Sequence, residues 1–314
     1  MGSTQTFKDY RRRKLLENRS DAEHFAAIEG LSDYLTLMNL LFHSISQVLS
    51  EKCGITTLQY RMLLRLLAAE GEPTRTSDLA DNLYVGISTV SAAMPRLVDD
   101  GFVRRVEDPD DMRVVSLSLE PRGLEEIERA DFCVGSFLQG YWRNLTSEQL
   151  EAGLASSANA AKLHGAARFE NGSFRYDTAF FDAVMISRTL TAARLADEGL
   201  KTQELRVLLA LRILGANTTP SQVAKYLFLK SSDVTAPIKS LEVKGFIEKE
   251  RNNENRRAKM LSLTQAGWEK IEEMLPITLD TLLETCHSDE DAVELHLSAA
   301  QGVVARERGS ALFA

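Results

Sequence analysis

Few of the features that assign chemistry by motif are present in this sequence. Cysteine is scarce: Cys53, Cys133 and Cys286 are odd in number and show no CxxC spacing, so no disulfide framework or zinc ribbon is legible. The N-terminus has no apolar run leading to a small-residue cleavage site, and with reduced cysteines this reads as a cytoplasmic chain. No stretch approaches the roughly 18 apolar residues of a membrane helix, which excludes a membrane partner. His24, His43, His164, His287 and His296 form no tight ligand pattern, so no metal is expected. A Walker loop, a GxSxG elbow, an HExxH helix and a suitably placed carboxylate pair are all missing, which leaves an enzyme poorly supported and implies no cofactor. A surplus of positive charge is missing too. The formal charge of −8 at pH 7 argues against coating nucleic acid through bulk charge, although a local basic surface can still bind within an acidic whole.

What the chain does have is apolar content and repetition. With 314 residues, 44% of them hydrophobic, it is long enough for one large or two ordinary domains, and disorder is excluded. The segment from Thr56 to Gly123 aligns with the segment from Lys201 to Gly267 at a separation of about 144 residues. Ala80 falls on Ala224, Val90 on Val234, Leu97 on Leu241, Gly101 on Gly245, Leu117 on Leu261 and Gly123 on Gly267. The flanks repeat more weakly, an apolar helix over 31–52 matching one over 178–198. The organisation expected is an N-terminal basic arm over 1–23, a first unit over 24–167, a linker over 168–176 carrying Asn171, Gly172 and Ser173, and a second unit over 177–314.

Periodicity orders the elements of one unit. Leu58, Met62, Leu63 and Leu66 recur at helical spacing, and Ser77 is placed to cap a short helix ending at Leu83. Gly86 breaks the chain. A helix over 88–98 puts Val90, Met94 and Leu97 on one face and leaves Ser88, Thr89, Ser91 and Ala92 elsewhere. Alternating apolar residues on both sides of a DPDDM turn predict a β-hairpin. Three helices and a hairpin make a winged helix-turn-helix, in which the third helix enters the DNA major groove. The fold class expected is therefore mainly α with small β-hairpin wings: two tandem winged helix-turn-helix units joined by a helical pseudo-dimerisation core.

In these residues the sequence resembles the MarR family of transcription regulators across nearly its whole length. The family's wing pattern D-P-x-D-x-R is met by Asp108, Pro109, Asp111 and Arg113, and its L-T-x-x-G pattern by Leu263, Thr264 and Gly267, approximately by Leu119 to Gly123. The resemblance implies double-stranded DNA as partner, with Arg113 entering a minor groove and Asp108 and Asp111 holding its guanidinium. Without the resemblance, the simpler reading is an exposed acidic turn that pairs with Arg104 and Arg105. The second wing has Asn252 and Asn255 in place of the carboxylates and keeps Arg256 and Arg257, so it should bind more by charge than by fixed geometry.

The DNA-contacting set expected from the first repeat is Ser88, Thr89, Ser91, Arg96, Arg105, Asp108, Asp111 and Arg113. From the second it is Lys230, Ser231, Ser232, Thr235, Lys239, Arg256 and Arg257. Lys225, Lys244, Lys249, Arg251 and Lys259 add to the second repeat, which should supply most of the nonspecific affinity. Ala92 and Ala236 stand where the family often has arginine, so a thymine methyl can be met there but guanine cannot be read. Pro95 and Pro237 lie inside the two recognition helices, and each serves groove curvature or is merely tolerated. Arg11, Arg12, Arg13 and Lys14 form an arm that could track phosphates, or only a solvated turn.

In the family two chains pair through terminal helices, and this chain holds both halves. An intramolecular pseudo-dimer that acts as a repressor on an asymmetric operator is the expectation, with further self-association left open. A small organic effector is a further option that the resemblance implies. Candidate pocket residues are Phe42, His43, Tyr60, Trp142, Phe181 and Met185, although residues at helical spacing are more often plain core. The alternative function is an adaptor or antirepressor in which one winged-helix unit has lost DNA binding, a reading that Asp99 and Asp100 beside the first recognition helix support.

Overall fold

The two halves fold alike because they carry the same local signals. A computed structural model describes residues 21–107, 115–142, 145–151, 155, 176–251, 259–285 and 290–312. The wing-tip residues Asp108, Asp111, Arg113, Arg256 and Arg257, residues 1–20 of the expected basic arm, and most of the expected linker lie outside the described residues.

The first repeat runs α1 (Asp21–Lys52), α2 (Thr57–Ala68), β1 (Thr74–Arg75), α3 (Thr76–Leu83), α4 (Ile87–Asp99), β2 (Val103–Glu107), β3 (Val115–Leu119) and α5 (Pro121–Trp142). The second runs α6 (Tyr176–Asp197), α7 (Thr202–Leu214), α8 (Pro220–Tyr226), α9 (Ser231–Val243), β4 (Ile247–Arg251), β5 (Lys259–Leu263), α10 (Gln265–Thr285) and α11 (Glu290–Leu312).

Capping fixes where the short helices begin. Thr56 accepts from the Gln59 N–H at 3.2 Å while its own N–H donates to Gln59 Oε1 at 2.9 Å, a reciprocal box that opens α2. Thr219 and Gln222 do the same for α8, with Pro220 in the first turn. Ser77 is not the cap of α3. The helix starts at Thr76 behind Arg75, because β1 pairs Arg75 with Ser116 and holds that backbone extended up to the first helical residue. Ser77 sits inside the first turn and donates to Asp78.

Chain reversals are duplicated atom for atom. Gly101 (φ +72°) and Gly245 (φ +75°) take the left-handed conformation after α4 and α9. The Phe102 N–H then reaches the Leu97 carbonyl at 3.0 Å, and the Phe246 N–H reaches that of Leu241 at 3.0 Å, so α4 and α9 end in the same two-bond cap. Tyr84 and Phe228 hold φ values of 56° and 54° at corresponding turns, unusual for side chains of this size.

Each wing is an antiparallel pair in full register, β2 with β3 and β4 with β5. β1 adds a third strand beside β3, and in the second repeat the same role shrinks to one bridge between Thr218 and Leu261.

The compact units do not follow the sequence repeats. One comprises Met1–Leu37, Thr191–Glu284 and His296–Ala314; the other comprises Met38–Leu190 and Thr285–Leu295. The first therefore joins the second winged helix to the start of α1. There Arg308 donates to Asp33 at 2.7 Å and covers the Tyr226 ring at 4.0 Å, and Arg212 lies over Trp268 at 4.1 Å and Phe25 at 4.9 Å. The other unit joins the first winged helix to the start of α6, where Tyr60 stacks on Phe181 with centroids 6.3 Å apart. Each unit's core is thus built from both repeats. Among the described residues no helix is long and apolar enough to cross a membrane.

Candidate nucleic-acid interface

α4 buries Val90, Met94 and Leu97 and exposes Ser88, Thr89, Ser91, Ala92, Pro95 and Arg96. α9 buries Val234, Ile238 and Leu241 and exposes Ser231, Ser232, Thr235, Ala236 and Lys239, with Lys230 exposed just before it. The apolar spacing that seats each helix on its unit therefore turns the hydroxyl-bearing side chains outward, as the sequence pattern predicts. Both helices run through their prolines, Pro95 and Pro237, without a break.

The two exposed faces differ in their cations. Arg96 lies back along its own helix, with Nε 3.1 Å from Asp100 and Nη2 3.5 Å from the Gly54 carbonyl. Arg104 on β2 pairs with Glu120 at 2.9 Å, and Arg105 beside it is exposed. In the second repeat Lys239 is exposed with no ion-pair partner among the described residues. The basic surplus there is nonetheless smaller than a count of lysines suggests. Lys244 is drawn to Glu204 at 2.7 Å and to the Gly199 carbonyl at 2.9 Å, and Lys249 pairs with Glu242. Burial alone would raise the Glu204 carboxyl; the Lys244 ammonium and hydrogen bonds from Ser240 and the Lys201 backbone bring it below the usual range. Lys225, Lys230, Lys239 and Lys259 remain exposed.

The six pocket candidates fall in one compact unit. Tyr60, Phe181 and Met185 are buried, and the Tyr60 hydroxyl is bound to Asp131. Phe42 is half-buried under the Arg188 guanidinium, 4.0 Å from its centroid, and meets the exposed His43 edge-on. Trp142 ends α5, and its side chain lies outside the described residues. Cys53 is a poor redox centre: burial, and then the neighbouring Cys133 thiol, push it up to about 12, which leaves little thiolate near neutrality. No group of metal-ligating side chains gathers among the described residues.

A cluster that sequence reasoning missed lies in the same unit. Arg61 Nε donates to Asp182 at 2.7 Å, and Arg65 binds the other carboxylate oxygen. All three side chains are almost fully buried. Burial alone would raise the Asp182 carboxyl, but the Arg65 and Arg61 guanidiniums hold it below the usual range. The available signal was a cation inside an apolar run, YRMLLRLL, recurring as Arg206 in LRVLLAL. Arg61 and Arg206 both reach the carbonyl near the end of the following helix, that of Leu83 at 3.5 Å and that of Leu227 at 3.0 Å.

Comparison with known proteins places a family on each repeat. Residues 55–115 match one MarR family model, and residues 198–258 match a second. The uncharacterised HTH-type transcriptional regulator YdcH of Bacillus subtilis (strain 168) is 36% identical over 63 residues, 20% of this chain and 43% of the relative. This chain thus spans less than half of YdcH's length. A second such regulator of that organism, YhbI, is 28% identical over 107 residues, 34% of this chain and 68% of its own. Among solved structures, apo MarR from E. coli overlays with a TM-score of 0.33 at 21% identity, covering 36% of this chain and 83% of that one. CouR from Rhodococcus jostii RHA1 bound to p-coumaroyl-CoA gives 0.31 at 18% identity, covering 34% and 75%. With one MarR family match on each winged helix, and the same capped, winged architecture built twice, this chain carries two MarR-like units in tandem.

Proposed function

We propose that this chain is a sequence-specific, double-stranded-DNA-binding transcription regulator, a repressor that acts as a single-chain pseudo-dimer on an asymmetric operator. The observation that carries the reading is the matched pair of outward faces on α4 and α9, each presenting hydroxyls and one alanine over a buried aliphatic stripe. Side chains of that kind meet base edges and thymine methyls in a major groove. Pairing within the chain is supported by compact units that each combine one winged helix with a helical segment of the other repeat. Asymmetry follows from the residues themselves, because the first face holds its arginine against Asp100 while the second presents Lys239. The wing arginines Arg113 and Arg257 complete each half through the minor groove, and an organic effector acts on the unit that holds Phe42, His43 and Arg188.

Selection of bound duplexes from a random pool at two salt concentrations tests the reading. Two unlike half-sites about one helical turn apart are expected. Weak binding that selects no sequence and vanishes as salt rises would refute it. That outcome would favour the adaptor or antirepressor, a second reading that the engaged Arg96 and Arg104 of the first repeat support.

A further inference from the structure

The buried charges of the first repeat carry information about which helix can pack against it. Arg61 and Arg65 stand one turn apart on α2, with side chains 3% and 2% exposed, and both reach Asp182 of α6, itself 2% exposed. All three belong to one compact unit, although Asp182 comes from the second repeat. Arg65 Nε and Nη1 meet no acceptor among the described residues, so the Asp182 carboxylate is the main offset to burying that cation.

The corresponding positions have diverged together. Arg61 is matched by Arg206, but Arg65 is matched by Ala210, and the stretch of α1 equivalent to Asp182 holds Thr36 and Leu37. A second cation on the winged helix and a carboxylate at the facing position therefore occur in one of the two pairings, as a set; the carboxylate that α1 buries in the other, Asp33, lies a turn earlier and pairs with Arg308. Were the first repeats of two chains to pair with each other, Thr36 and Leu37 would face two guanidiniums with no carboxylate at their own positions, Asp33 lying a turn earlier in α1. Removing one partner of a buried ion pair disfavours the packed state on the order of a hundredfold or more, because the remaining charge stays desolvated. Buried polar groups are best attested in this role, setting register and partner at some cost to stability.

We propose that Arg61, Arg65 and Asp182 form a pairing key, which admits the first helix of the second repeat against the first winged helix and rejects that of the first repeat. The inference rests on the pairing of repeats under the proposed function. It names the partner surface: the helix of the second repeat that buries the Asp182 carboxylate.

The test uses full-length chains with two different tags, mixed at equal concentration, cross-linked and weighed. Wild type should show a single mass and no cross-links from first repeat to first repeat. Asp182→Leu should shift the unfolding equilibrium toward the unfolded state by about a hundredfold. Arg61→Met, Arg65→Ala and Asp182→Leu combined should recover stability yet lose selectivity, giving two-chain species cross-linked between first repeats. A second pair of variants guards against a misfolded triple. An Asp182→Arg chain and an Arg61→Asp/Arg65→Asp chain should each fail to pair alone and should assemble when co-expressed. Recovery of stability with no such cross-links, failure of the co-expressed chains to assemble, or an unchanged unfolding equilibrium in Asp182→Leu would each overturn the key. First-to-first cross-links in wild type would instead defeat the pairing of repeats within the chain, a separate failure.

Discussion

A methyl group added at Gly123 would lie 2.2 Å from the Phe102 carbonyl oxygen, and one at Gly267 would lie 2.1 Å from that of Phe246. Neither oxygen is a movable side-chain end, because each accepts a backbone hydrogen bond, from Glu120 and Thr264 respectively. Gly123→Ala and Gly267→Ala should each destabilise the protein by about 1–3 kcal/mol, the usual range for overpacking, read as a lower denaturant midpoint. A loss below a few tenths in both would show that the wing and the following helix separate easily. His296 offers a second residue-scale check. Burial pushes its imidazole down to about 4 from an ordinary 6.5, so the unfolded chain takes up its proton first as pH falls. Stability should therefore decline between about pH 6.5 and pH 4, since the unfolded state binds more protons across that window. A His296→Gln variant should show a smaller decline in thermal scans at pH 7 and pH 5; an identical decline would place the titration elsewhere.

At the scale of elements, the recognition helices should behave unequally. Lys239→Ala should weaken DNA binding across all sequences and reduce the slope of log affinity against log salt by about 1. Arg96→Ala should do much less, because that guanidinium is already held by Asp100. Equal effects would mean that Arg96 leaves Asp100 on binding. The wings provide a companion prediction: Arg113→Ala and Arg257→Ala should each weaken operator binding with little loss of stability, and Asp111→Ala should weaken it as well despite removing negative charge. Tighter binding by Asp111→Ala would return the acidic turn to a surface pairing with Arg104 and Arg105. Much at this scale was legible in the sequence. The stripe of Val90, Met94 and Leu97, and its duplicate, fixed which face of each helix is buried, since apolar spacing depends only on the 3.6-residue period. The start of α3 was less so, because Ser77 has the chemistry of a cap while the strand pairing of Arg75 decides the boundary. Lys244 and Lys249 read as DNA-facing cations, yet their carboxylates lie 40 and 7 residues away in sequence. The Arg61, Arg65 and Asp182 cluster was hidden for the same reason, with its partners 121 and 117 residues apart.

At the scale of the whole molecule, duplication within one chain changes what binding requires. Two separate subunits must find each other before they can grip a two-fold site, whereas covalent repeats pair independently of concentration. The repeats are also released from identity. Arg65 against Ala210, Asp182 against Thr36 and Leu37, and the carboxylate-bearing first wing against its asparagine-bearing counterpart are divergences that two copies of one subunit could not hold together. The formal charge of −8 fits a protein that gains affinity from particular side chains rather than from bulk attraction, so binding to random duplex should be weak at moderate salt. The most direct measurement is the native mass of the chain bound to its selected operator, taken across protein concentrations. One chain per duplex, spanning both unlike half-sites with no dependence of stoichiometry on concentration, is the predicted result. Two chains per duplex, each occupying one of two identical half-sites, would contradict the single-chain pseudo-dimer.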